Sequence, residues 1–223
     1  MSGSANHEIK ENIRKAYNDI ADKYLEWTEP THKTRLTYLN LLLDSLNSNA
    51  KHVLELGCGA GVPCTQILAK KFDVTANDIS DSQIALAKTR LPDDSVTLIH
   101  GDMMGLKFQT EFDAVLAMYS IIHLPREEQS EMLRRIWGWL RPGGVFLGNF
   151  SEGGFEGDVK GDWLGGNDGC MYWSGWGKEE VRKILGEIGF KIEVDDVVVD
   201  VEVEEDGREK EVAFHWILAR KVE

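Results

Sequence analysis

A chain of 223 residues, 42% hydrophobic and 28% charged, has the balance of a single soluble domain with a sizeable core. Its formal net charge of -13 repels phosphate backbones and anionic bilayers. The densest basic pair, Arg134 and Arg135, is surrounded by Glu127, Glu128 and Glu131, so neither nucleic-acid nor membrane partners are expected. The N-terminus has no apolar leader, and no apolar run reaches the ~18 residues of a membrane span. Three scattered cysteines, Cys58, Cys64 and Cys170, suit neither a disulfide framework nor a metal site, and a cytoplasmic protein is expected.

Residues 7–47 read as helical. Ile13, Ala16, Tyr17, Ile20 and Tyr24 recur on one face, Pro30 interrupts, and a second helix carries Leu36, Leu39, Leu42, Leu43 and Leu46. From Lys51 onward short apolar runs alternate with helices. Strands are expected at 52–56, 72–78, 96–102, 112–120 and 143–150, with helices at 63–71, 80–91 and 125–140. Pro63 and Pro125 suit first helical turns, Ser80 suits an N-cap, and RPGG forms a turn before the fifth strand. Such alternation implies parallel pairing with right-handed crossovers, a doubly wound α/β sheet.

The tail differs. An amphipathic helix at 178–190 leads into two alternating strands, about 191–204 and 211–221, around the charged turn EEDGREK. Val197, Val199, Val201 and Val203 share one face there. The expected organisation is one domain: a helical cap at 1–50, a core at 51–150, a lid-like insert at 151–177, and a C-terminal helix and antiparallel hairpin at 178–223.

The chemistry concentrates in VLELGCGAGVP, which joins the first strand to the first core helix. Glycines there let backbone approach a ligand and turn helix N–H groups toward it. A dinucleotide fingerprint wants glycines at 57, 59 and 62, but Val62 breaks it; the spacing is Gly57, Gly59, Gly61, with Glu55 two residues ahead. Asp78 ends the second strand about 20 residues on, where a carboxylate accepts from both hydroxyls of a ribose in either kind of cofactor. Asp102 ends the third strand in HGDMM, where it can accept from an adenine amino group while the Met103 N–H donates to the ring.

These four features together resemble the class I S-adenosylmethionine-dependent methyltransferases, from about Lys51 to the C-terminus. The segments YNDIADKY and SIIHLPREEQ are most similar to the small-molecule branch, with its quinone-biosynthesis and secondary-metabolite enzymes. The resemblance implies a Rossmann-like seven-stranded sheet, mostly parallel, with a C-terminal antiparallel hairpin and added N-terminal helices. It implies that Gly57, Gly59 and Gly61 lie under the methionine moiety, while Glu55 fixes the loop or reaches the amino group through water. Asp78 would hold the ribose, Ile79 would pack on adenine, Asp102 and Met103 would read its edge, and the Met118 carbonyl would meet the methionine ammonium. Tyr17 and Tyr24 resemble lid tyrosines, a role their helical spacing shares with simple packing.

Ligands of doubly wound sheets bind outside the carboxyl ends of the strands. Tyr119 follows the fourth strand, and a long glycine-rich stretch after the fifth carries Trp163, Tyr172, Trp173 and Trp176. Tyr119, Trp163, Trp173 and Trp176 are therefore the expected contacts to an apolar or aromatic small-molecule acceptor, unless the tryptophans merely staple a loop. His123 is the candidate general base, with a structural histidine as the alternative. Methylation at O, N or S stays open, as does a non-methylating cyclisation or a regulatory binding module of the same fold, in a monomer or homodimer.

Overall fold

The computed structural model describes residues 2–29, 32–91, 96–203 and 207–222. The chain opens with α1 (Ser2–Asp19), α2 (Ala21–Thr28) and α3 (His32–Ser45). The first expected helix breaks at Ile20, whose φ of -102° and ψ of 13° separate α1 from α2. Pro30 lies outside the described residues, as do positions 204–206 of the EEDGREK turn. The core then runs β1 (His52–Leu56), α4 (Cys64–Leu68), β2 (Asp73–Asp78), α5 (Asp81–Arg90), β3 (Val96–His100), β4 (Phe112–Ala117), α6 (Arg126–Trp139) and β5 (Leu140–Ser151). After it come β6 (Gly154–Lys160), β7 (Met171–Trp176), α7 (Lys178–Ile188), β8 (Phe190–Val203) and β9 (Glu209–Lys221).

Seven strands form one sheet in the order β3-β2-β1-β4-β5-β9-β8. The first five pair in parallel, β9 runs antiparallel to β5, and β8 closes the edge antiparallel to β9. β1 and β4 read as nearly unbroken apolar runs because helices cover both faces. On one face Val53, Leu116 and Leu147 pack with Leu39, Leu42, Ile84 and Trp216, which stacks on Tyr38 at a ring separation of 4.2 Å. On the other, Leu54, Leu56, Val115 and Phe146 pack with Met132, Leu133, Ile136 and Leu185. Each fully buried side chain of this kind contributes roughly 1.5–3 kcal/mol. Winding reverses between β1 and β4, so the connections leaving them diverge and open a crevice at their carboxyl ends.

Two expectations need correction. RPGG is not a free turn but the bulged entry to β5: Phe112 pairs with Leu140 and Ala114 with Val145, with Gly143 at a φ of 77°. The stretch 151–177, for which no regular element was expected, also carries two strands. β6 and β7 form a second, two-stranded sheet, with Asp158 opposite Trp173 and Val159 opposite Tyr172. Every residue of β6 is exposed, so burial never imposed the apolar–polar alternation by which a strand is recognised. β7 is the anchored strand, through Gln129 Nε2 donating to the Ser174 carbonyl (2.9 Å) and Ser174 Oγ donating to that of Leu124 (2.6 Å). Among the described residues no helix is long and apolar enough to cross a membrane.

Candidate active site

The glycine turn leaves β1 in a conformation few other residues accept: Gly57, Gly59 and Gly61 have φ of 73°, 55° and 78°. A Cβ on Gly57 would lie 2.4 Å from that of Ser120, and one on Gly61 2.8 Å from Leu91 Cδ1. The Gly57 and Cys58 N–H groups donate to the Asn77 carbonyl, and the Gly59 N–H donates to Asp78 Oδ2 at 2.8 Å. Asp78 Oδ1 accepts from the Ser80 N–H at 2.9 Å. Burial raises the Asp78 pKa, against the pull of those two backbone donors. The turn and the acid at the end of β2 are thus one unit.

That unit forms the floor of a cavity with about 870 Å³ of space inside its walls and mouth. Its walls bring together Gly57, Gly59, Asp78, Ile79, Asp102, Met103, Met118, Tyr119 and His123, with Tyr17 from α1 and Tyr24 from α2. Two expected residues lie behind the wall. Gly61 packs under Leu91, and the buried Glu55 accepts from Thr65 Oγ1 at 2.7 Å, tying β1 to α4. Burial pushes the Glu55 carboxyl up to about 7, with Thr65 and Arg35 pulling the other way.

Sequence reasoning missed several wall residues. Lys10 and Arg35 both line the cavity. Lys10 shares its helix face with Ile13 and Tyr17, and Arg35 shares its face with Leu39 and Leu42. A cation on an otherwise apolar stripe was the available signal. Lys10 Nζ pairs with Asp102 Oδ2 at 2.6 Å and Glu128 Oε2 at 2.9 Å, which pins α1 over the site. Burial works against the ammonium, but the two carboxylates prevail and raise its pKa. Asp102 therefore reaches the cavity already engaged, its other oxygen accepting from the Met104 N–H at 2.9 Å. The Arg35 guanidinium lies 4.2 Å from the Tyr119 ring centre.

His123 has both ring nitrogens occupied. Nδ1 lies 2.8 Å from the Tyr172 carbonyl, which can only accept, so Nδ1 carries the proton. The bare Nε2 then accepts from Tyr17 Oη at 2.9 Å. Burial pulls the imidazole down to about 4, and the Tyr172 carbonyl only partly restores it. The expected general base is thus a neutral clamp joining α1 to β7, with no free lone pair for an acceptor's proton.

The tryptophans divide. Trp163 and Trp173 line a second, open cavity between the β6–β7 and β8–β9 hairpins, together with Trp27, Ile122, Phe155 and Phe214. Trp163 also touches Tyr17, Tyr24, Trp27 and Trp173 at ring separations of 5.2–6.2 Å, so an aromatic partition divides the two cavities. Trp176 joins neither: its Nε1 donates to the Arg126 carbonyl at 2.7 Å under the Arg126 guanidinium. Tyr119, expected at the acceptor, belongs to the first cavity, held at a φ of 53° by its N–H donating to Asn149 Oδ1 and its Oη to Asp200 Oδ2.

Residues 53–144 match the methyltransferase domain family. Over this stretch, from β1 to the entry of β5, the chain is similar to methyltransferase domains. The match ends just inside β5, so the first cavity is built largely from matched residues and roofed by unmatched ones. A malonyl-acyl-carrier-protein O-methyltransferase of Priestia megaterium is 28% identical over 156 residues, covering 66% of this chain and 54% of that protein. A mitochondrial ubiquinone biosynthesis O-methyltransferase of Schizosaccharomyces pombe is 26% identical over 156 residues, covering 65% and 56%. The chain spans about half the length of these curated relatives. The fold extends beyond the matched stretch. The magnesium protoporphyrin IX methyltransferase of Synechocystis, solved with bound S-adenosylhomocysteine, superposes over 96% of this chain and 99% of its own at a TM-score of 0.71 and 18% identity.

Proposed function

We propose that this protein transfers the methyl group of S-adenosylmethionine, held in the first cavity, to an O, N or S atom of a small molecule that reaches it past the aromatic partition. The observation that carries the reading is a cavity built on the glycine turn and Asp78 whose buried polar atoms are incompletely satisfied. Gln83, Asn77 and Ser120 line it, all at most 5% exposed, and each keeps a buried polar atom without a partner: both ends of the Gln83 amide, Asn77 Oδ1 and Ser120 Oγ. Buried polar atoms in folded proteins are overwhelmingly paired, so this set fits a polar ligand. Gly57 lets the turn close against Ser120, where any Cβ would clash.

In this reading Asp78 accepts from the ribose hydroxyls, Ile79 and Met103 flank the adenine, and Asp102 with the Met103 N–H faces its edge. The Met118 carbonyl meets the ammonium, and Arg35 supplies the charge for the carboxylate. Tyr17 and Tyr24 close over the cofactor, held by the Lys10 ion pairs and the His123 clamp. When bound, S-adenosylmethionine supplies a methyl on a sulfonium, open to in-line displacement. Positioning and exclusion of water are then the protein's main contributions. With His123 committed to Tyr17 and Tyr172, the reading favours an acceptor atom that arrives with a free lone pair, such as a neutral amine, a carboxylate or a thiolate.

A metabolite pool incubated with isotope-labelled methyl donor tests the proposal. The expected result is a labelled small molecule with stoichiometric S-adenosylhomocysteine. Cofactor binding with an unlabelled, rearranged product would place the protein among non-methylating relatives of the fold, and binding without any turnover would make it a regulatory module. Trp163→Ala and Trp173→Ala should raise the acceptor KM by about 10-fold, more than either changes the cofactor Kd. Steady-state kinetics read against calorimetry separate the two effects, and the opposite ranking would move these rings to the cofactor side.

A further inference from the structure

Gln83 sits in the first turn of α5, and its backbone N–H donates to Ser80 Oγ, the helix cap, at 3.1 Å. Its side chain is anomalous. The residue is 1% exposed and lines the first cavity, yet neither Oε1 nor Nε2 has a hydrogen-bond partner. A buried primary amide with both ends unsatisfied destabilises the free protein, and an apolar side chain of the same length would fill the space without that cost. The amide also lies beside the glycine that Asp78 holds. Its Oε1 lies 3.7 Å from where a Cβ of Gly59 would stand, and the Gly59 N–H donates to Asp78 Oδ2.

A hydroxyl group is both donor and acceptor, whereas an ionised carboxylate only accepts. Asp78 can therefore take the hydrogens of a vicinal diol but leaves the diol's oxygen lone pairs buried and unmet. Gln83 Nε2 is an unspent donor on a residue that lines the same cavity. We propose that Gln83 is a cofactor-binding residue whose amide pairs with a ribose hydroxyl held at Asp78, and that it sets the preference for an intact ribose. The inference rests on the cofactor assignment made above. In the sequence Ser80-x-x-Gln83 reads as a capping box, whose glutamine would return to the cap N–H, but that N–H donates to Asp78 Oδ1 and leaves the amide unspent.

The test compares wild type with Gln83→Met, which keeps length and volume, and with Gln83→Leu should the first variant pack poorly. Calorimetry with S-adenosylhomocysteine should show about a 10-fold weaker Kd in the variant. The unfolding midpoint of the ligand-free variant should hold or rise. Wild type should also prefer S-adenosylhomocysteine over its 2′-deoxy and 3′-deoxy counterparts, and the variant should lose part of that preference. An unchanged Kd with a lowered midpoint in both variants would make Gln83 a packing residue and overturn the proposal. If Asp78→Ala weakens binding while Gln83→Met does not, the cofactor assignment survives and this inference falls. Failure of wild type to bind S-adenosylhomocysteine would remove the assignment beneath it.

Discussion

Gly57→Ala should abolish measurable cofactor binding and destabilise the fold by about 2–5 kcal/mol. The residue holds a φ of 73°, where a Cβ costs roughly 1–2 kcal/mol. The new methyl would also meet Ser120 Cβ at 2.4 Å, a contact no rotamer change can relieve because both atoms are fixed by backbone. Ser120 directly follows the Met118–Tyr119 corner at the end of β4, so relief requires β1 and β4 to move apart at the crevice itself. Gly57→Ala combined with Ser120→Gly should recover the steric part and leave only the backbone part. Urea unfolding and calorimetry on the single and double variants check this. A single variant that binds S-adenosylhomocysteine normally would show that the turn can relax and does not define the floor of the site.

The second large effect is on stability against pH. His123 titrates near 6.5 when unfolded and about 4 in the fold, so its contribution is present above about pH 6.5 and is lost as pH falls toward 4. Glu55 works in the other direction: with its carboxyl pushed from 4.5 up to about 7, its contribution is present at low pH and is lost as pH rises toward 7. Each spans about 3 kcal/mol at most, and between roughly pH 4.5 and 6.5 they oppose one another, which flattens the wild-type profile. Single variants should uncover the slopes. Glu55→Gln, which mimics the protonated acid and keeps a partner for Thr65, should match wild type near pH 4.5 and exceed its stability near pH 8. His123→Asn should show a deficit near pH 8 that shrinks as pH falls to about 4. Denaturant unfolding across that range measures both, and parallel profiles for all three proteins would contradict the buried, neutral states assigned to these groups.

Much of this arrangement was legible in the sequence because it is local. The apolar runs of β1 and β4 are continuous because both faces are covered. The glycines at 57, 59 and 61 are read directly from their spacing, and the acid ending β2 falls where the α/β winding must place it. What escaped depends on contacts distant in the chain. His123 is held by groups at positions 17 and 172, 106 and 49 residues away, and without them a lone histidine near a strand end reads equally as a base or as a structural group. Four aromatic residues between 163 and 176 give no sign that Trp163 and Trp173 wall a cavity while Trp176 packs on the start of α6. β6 hides because it buries nothing. Lys10 and Arg35 left a trace, each a cation on an apolar helix face, but the trace points to a buried charge without saying what it meets.

Calorimetric titration of wild type and Asp78→Ala with S-adenosylhomocysteine, with NAD titrated in parallel, bears most directly on the function proposed for this chain. Wild type should bind S-adenosylhomocysteine and show no heat with NAD. Asp78→Ala should weaken binding by about 10- to 150-fold, the loss of charge-assisted hydrogen bonds worth roughly 1.5–3 kcal/mol. Tight binding of NAD instead, or equal affinity for S-adenosylhomocysteine in the two proteins, would contradict the assignment of this cavity.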